Sequence, residues 1–159
     1  MHAFTFGRFN PLTKGHVHHI NTIVRYAKAK NIPHTIYVSG TVDKDNPLSV
    51  NDKIAMIKAA VPDASVRQAT NMFDVLRNTD DDVLYFAGSD YKSSAMIENF
   101  HKYATPNSVV VFTGKRVDGI SGTDARVAAQ RGDYETFRSV LADVPDSIAQ
   151  QVFSQCGRG

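Results

Sequence analysis

The chain has 159 residues, a formal net charge of +2, 42% hydrophobic and 21% charged residues. These values exclude bulk disorder and lack the clustered basic excess of a nucleic-acid binder. Its one cysteine, Cys156, cannot form an intrachain disulfide or complete a zinc site alone. No apolar run approaches the roughly 18 residues of a membrane span, and residues 1–10 lack a signal-peptide layout. The expectation is a single domain over residues 1–156, a frayed tail at 157–159, a cytoplasmic setting and no membrane or nucleic-acid partner.

A first strand is predicted at residues 3–6, followed by a helix at 16–30 with Val17, Ile20, Val24 and Ala27 on one stripe. A strand at 36–39 leads to a helix at 52–61, where Ile54, Ile57 and Val61 form the stripe. A strand at 65–68 and a helix at 71–78 come next. The apolar runs 83–87 and 109–112 suit parallel strands buried on both faces, with a helix at 91–103 between them. Helices are expected at 123–131, 134–141 and 146–155. Ser49-x-x-Asp52 and Ser121-x-x-Asp124 fit capping boxes, and Asp133 sits where an N-cap belongs. Strand–helix alternation with right-handed crossovers predicts an α/β fold. Its form is a Rossmann-like, doubly wound parallel sheet of five strands, with helices on both faces and a helical C-terminus. Ligands in such sheets bind beyond the carboxyl ends of the strands, where the strand order reverses.

The turn after the first strand, from Gly7 through Arg8, Phe9, Asn10, Pro11, Leu12, Thr13, Lys14 and Gly15 to His16, runs straight into a helix. A glycine at the strand exit permits a sharp turn and a close ligand. The helix start offers unpaired N–H groups to an anion. Arg8, Lys14 and His16 add cationic or donor side chains where helices usually carry acids. The bland alternative is an ordinary turn with His16 near a cap. Neither a P-loop nor a Gly-x-Gly-x-x-Gly fingerprint occurs. After the fifth strand, Gly119-Ile120-Ser121-Gly122-Thr123-Asp124-Ala125-Arg126 opens another helix with hydroxyls and an arginine. Taken alone, it could equally be a capped helix with an exposed arginine.

Together the segments resemble the nucleotidylyltransferase superfamily, whose signatures are (His/Thr)-x-Gly-His and Ile-Ser-x-Thr-x-x-Arg. Within it, Asp45-Asn46-Pro47-Leu48-Ser49 before a helix carrying Lys53 and Met56 resembles nicotinamide-mononucleotide adenylyltransferases, including small viral members. So do Gly88-Ser89-Asp90 and the 132–137 stretch, the resemblance spanning about residues 4–145.

The resemblance implies transfer of an adenylyl group from ATP to nicotinamide mononucleotide, giving NAD and pyrophosphate. His16 would bind the α-phosphate in the transition state, with Arg8, Lys14, Lys44 and Arg126 around the triphosphate. Ser121 and Thr123 would hold terminal phosphates, and Gly7, Phe9, Asn10, Thr13, Gly15, Gly88, Asp90 and Ile120 complete the ATP site. Mg²⁺ would bridge phosphate oxygens rather than occupy a protein cage. Two departures stand out: Thr13 replaces the archaeal histidine, and no tryptophan is available to stack on nicotinamide, leaving Phe73 or Tyr91. Rival readings are transfer to pantetheine phosphate, cytidylyl transfer to a polyol phosphate, and a non-catalytic nucleotide-binding regulator. A monomer and a homo-oligomer both stay open.

Other features read as structural. Positions 16, 18 and 19 do not converge on one helix face as metal ligands would, so His18 and His19 are expected to be solvated. Asp80-Asp81-Asp82 is expected to be a solvated turn, and Asp74 with Arg77 a surface pair.

Overall fold

The computed structural model describes residues 1–43, 47–87, 94–112 and 122–157, with the side chains of Ser94 and Ala95 left aside. Its elements run β1 (His2–Gly7), α1 (Lys14–Lys30), β2 (His34–Ser39), α2 (Val50–Ala60), β3 (Val66–Ala69) and α3 (Met72–Arg77). They continue with β4 (Val83–Ala87), α4 (Ser94–Tyr103), β5 (Val109–Phe112), α5 (Gly122–Gln130), α6 (Tyr134–Val140) and α7 (Asp146–Gly157). All five strands are parallel in the order β3-β2-β1-β4-β5. The expected α/β, doubly wound architecture with a helical C-terminus is the architecture found.

Side-chain alternation along the strands sorts the core onto two faces. On one face Ala3, Ile36, Val38, Leu84 and Phe86 pack with Ile20, Ile23 and Val24 of α1 and Met56 and Ile57 of α2. Ala125 of α5, Phe137 of α6 and Val152 of α7 extend that same cluster. The other face gathers Phe4, Val83, Tyr85 and Ala87 under Met72, Val75 and Leu76 of α3 and Phe100 of α4.

The strand order reverses between β1 and β4, because α1 leads outward to β2 whereas α3 returns the chain to β4. The crevice of such a fold therefore opens over the end of β1, where Gly7 pairs with Val38 of β2. The C-terminal helices reach this point from outside. Leu141 forms an isolated antiparallel bridge with Thr13, and the Ala142 N–H donates to the Leu12 carbonyl at 3.0 Å. Cys156 is buried, and burial pushes its thiol up to about 12 despite Arg126 nearby, so it is an inert core residue. Among the described residues no helix is long and apolar enough to cross a membrane.

Candidate active site

Thr13 is the N-cap of α1, with its hydroxyl accepting the His16 N–H at 3.4 Å. In return the Thr13 N–H donates to His16 Nδ1 at 3.0 Å, closing a capping box with histidine in the place usually held by Glu or Gln. A nitrogen that accepts cannot carry the ring proton, so the neutral imidazole is protonated at Nε2. The helix start thus fixes both the orientation and the tautomer of His16. No acidic residue lies in the first turn of α1. Its positive dipole end is left to Lys14, which is exposed, and to the imidazole.

Phe9 supports the ring. Its backbone is left-handed, at φ 47°, a conformation that costs a bulky residue about 1–3 kcal/mol. Its phenyl ring is buried and meets the His16 ring edge-on, with centroids 5.1 Å apart. The same phenyl lies over Gly7, where an added Cβ would come within 2.8 Å of Phe9 Cζ. Gly7 is required here for space.

Asn10, 3% exposed, ties this turn to the Leu48 loop and to α5. Its Oδ1 accepts the Leu48 N–H at 2.8 Å, and its Nδ2 donates to the Arg8 carbonyl at 3.1 Å. Its own carbonyl accepts from Arg126 Nη1 at 2.5 Å, while Arg126 Nη2 donates to Thr123 Oγ1 at 3.1 Å. The two distant sequence segments therefore meet at one backbone oxygen. Gly122 permits the approach, since a Cβ there would stand 3.2 Å from the Asn10 carbonyl and 3.3 Å from Arg126 Nη1.

Lys53 is a further cation beside this cradle. It shares the buried stripe of α2 with Met56 and Ile57, is 1% exposed, and donates from Nζ to the Ser39 carbonyl at 2.7 Å. Burial, and then the neighbouring Arg8 charge, push its ammonium down to about 8 against the opposing pull of Asp43. A desolvated lysine beside an exposed arginine at the end of β2 raises the local demand for an anion.

A family model described as cytidylyltransferase-like matches residues 4–128. The chain belongs to that family. This places it in the nucleotidyltransferase superfamily that the paired helix-start segments resemble. Among solved structures, Thermotoga maritima TmcAL bound with alpha-thio ATP aligns with a TM-score of 0.57 and 14% identity, covering 94% of this chain and 54% of that one. A macrolide-efflux protein from Streptococcus pneumoniae aligns at 0.60 and 15%, covering 87% and 55%. Plasmodium falciparum nicotinic acid mononucleotide adenylyltransferase complexed with NaAD aligns at 0.59 and 11%, covering 89% and 90%. The chain spans about half the length of the first two of these proteins. At such identities the likeness is one of fold, and the different names attached to it show that the fold alone does not choose a substrate. Comparison with curated proteins finds no match.

Of the site residues expected for this cytidylyltransferase-like chain, Gly7, Arg8, Phe9, Asn10, Thr13, Lys14, Gly15 and His16 form the turn and first helical turn, and Thr123 and Arg126 face it from α5. Phe9, Asn10 and Thr13 are buried and engaged with protein groups, which makes them the frame of the cradle. Lys44, Gly88, Asp90, Tyr91, Ile120 and Ser121 lie outside the described residues, as does the Ser121 capping position. Phe73, in the first turn of α3, is half-buried with its ring 5.6 Å from that of Tyr103.

His19 corrects one expectation. Only His18 is exposed; His19 Nε2 lies 3.1 Å from Thr5 Oγ1, which donates onward to the Phe86 carbonyl at 2.7 Å. Burial lowers the His19 pKa accordingly. Arg77 lies over the Tyr103 ring at 5.7 Å, a partner that the expected Asp74–Arg77 pair did not foresee. In the acidic turn, Asp81 pairs with the N-terminal ammonium at 3.4 Å, and Asp82 accepts from Thr105. Among the described residues no group of three or more His, Cys, Asp or Glu side chains could hold a metal ion.

Proposed function

We propose that the protein is an adenylyltransferase joining ATP and nicotinamide mononucleotide to give NAD and pyrophosphate. The observation that carries the reading is the contact of Arg126 with the Asn10 carbonyl, which brings the start of α5 against the acid-free start of α1. That contact supports reading Arg8, Lys14, His16, Thr123 and Arg126 as one donor set suited to a polyphosphate.

The chemistry needs no general base. The acceptor's phosphate monoester has a second pKa of about 6 and is ionised at neutral pH. Its oxygen forms a bond to the α-phosphorus of ATP, the bond from that phosphorus to the bridging oxygen breaks, and pyrophosphate leaves with the electron pair. His16 Nε2–H is the donor for charge developing on the α-phosphate, held ready by the Thr13 N–H at Nδ1. Arg126 and Thr123 bind the departing phosphates, and Arg8 binds the incoming one, with the buried Lys53 adding positive charge beside it. Mg²⁺ arrives on the ATP phosphates as part of the substrate.

The family description favours a second reading, cytidylyl transfer from CTP, which would use the same cradle. The test separates the two: the protein is incubated with ATP or CTP, Mg²⁺ and each phosphorylated acceptor, and products are resolved by chromatography. NAD formation well above dephospho-coenzyme A and CDP-polyol supports the adenylyl reading. CTP consumption with ATP untouched overturns it in favour of the second.

A further inference from the structure

Arg138 lies in the last turn of α6, outside the crevice, yet it is linked to His16 by an unbroken chain of contacts. Its Nη1 donates to the Ala142 carbonyl at 3.2 Å and its Nη2 to the Val144 carbonyl at 2.5 Å. With these carbonyls gripped, the Ala142 N–H donates to the Leu12 carbonyl at 3.0 Å and Leu141 pairs with Thr13. Thr13 is the residue whose N–H holds His16 Nδ1 at 3.0 Å. Leu12, Thr13, Leu141, Ala142 and Val144 are all buried, so beyond the half-buried Arg138 guanidinium water has little access to replace a lost bond along this path.

We infer that Arg138 is a positioning residue for His16, acting through the 141–144 segment and the Thr13 cap. The planar guanidinium matches two carbonyls at once, which a lysine ammonium does not. The nearby Asp146 carboxylate, 3.9 Å from Nε and 71% exposed, contributes little by comparison. The competing account is that Arg138 merely caps the carboxyl end of α6. In that case it would affect stability without reference to the imidazole. If the inference holds, loosening the segment lets the Thr13 N–H drift from Nδ1. The ring then loses its fixed tautomer, and a displacement of about 1 Å in a transition-state donor costs up to about 10²-fold in rate.

The activity arm rests on the transfer reading above and uses a double-mutant cycle of Arg138→Gln with His16→Gln. Arg138→Gln is expected to lower kcat by about 10-fold with KM for ATP changed less than about twofold, and to change kcat less than about twofold once His16 is Gln. Equal losses in both backgrounds, or no loss in either, would overturn the inference. The second arm needs no activity: ¹⁵N spectra of the imidazoles in the whole protein. His16 should show one tautomer, protonated at Nε2, and its ring shifts should move toward a tautomer mixture in Arg138→Gln. Unchanged His16 shifts in the folded variant contradict the inference even if no nucleotide is transferred. Loss of transfer in the wild type with the shift change present discards the transfer reading alone. Should Arg138→Gln not fold, Arg138→Lys takes its place, with a smaller movement of the same resonances expected and none contradicting.

Discussion

His16 combines two tasks that can be separated by substitution. As the third residue of α1 it accepts the Thr13 N–H at Nδ1, and in the proposed mechanism its Nε2–H is the donor to the α-phosphate. Glutamine at that position keeps the capping-box acceptor and removes the ring. His16→Gln is therefore expected to melt within about 2 °C of the wild type, whereas His16→Ala gives up the box and loses roughly 0.5–1 kcal/mol. Thermal unfolding followed by circular dichroism checks this, and equal stability of the two variants would count against the box. Gly7 is a separate case, because its missing Cβ is filled by the Phe9 ring. Gly7→Ala must push that ring off His16, with an expected loss of about 1–3 kcal/mol by denaturant unfolding and a larger fractional loss of turnover. Little of this was legible beforehand. The Thr13-x-x-His16 box is hidden because histidine is not the residue that marks the third helical position. The engagement of Asn10 with Leu48, Arg8 and Arg126 depends on loops brought together only in the fold.

Helix starts and helix faces set the electrostatics. Lys53 occupies the core stripe of α2, where the sequence would suggest an apolar side chain, and its spacing from Met56 and Ile57 is the one signal that could have exposed it. Because its folded pKa is about 8, below the unfolded value of 10.5, the unfolded chain binds more protons between these values. Stability from this group is therefore lowest below about pH 8 and rises as pH climbs from about 8 toward 10.5. Denaturant unfolding of the wild type relative to Lys53→Met should show that rise in the difference, and a flat difference would refute the shift. Phosphate binding to the folded protein should weaken around pH 8, where the Lys53 ammonium is lost. Arg126 joins α5 to the α1 turn through two donors of one fork. Arg126→Lys keeps the charge but only one contact, so ATP affinity by titration calorimetry is expected to fall about 10-fold, with product identity unchanged. Unaltered affinity would place Arg126 outside the site.

The whole molecule is a sheet whose order turns at β1 and β4, where the turn that opens α1 meets Arg126 of α5. This much was legible because alternation of strand and helix fixes a parallel sheet, and parallel sheets place ligands at strand ends. Apart from the expected start at 91, which lies outside the described residues, the boundaries found differ by at most two residues, as at α1, which starts at Lys14 because Thr13 caps it. What the alternation could not reveal is the bracing of that turn by Leu141 and Ala142, since pairing between an α6–α7 connection and a loop leaves no periodic trace. The burial of His19 leaves no periodic trace either, because its partner Thr5 lies on the sheet rather than along the helix. We propose that this crevice transfers a nucleotidyl group with His16 as the transition-state donor. The most direct measurement is acceptor-dependent pyrophosphate release from ATP by the wild type and by folded His16→Gln. Release matched by nucleotidyl product is expected in the wild type, with a fall of about 10²–10³-fold in the variant. Undiminished release from the folded variant, or none from ATP or CTP with any phosphorylated acceptor, would contradict it.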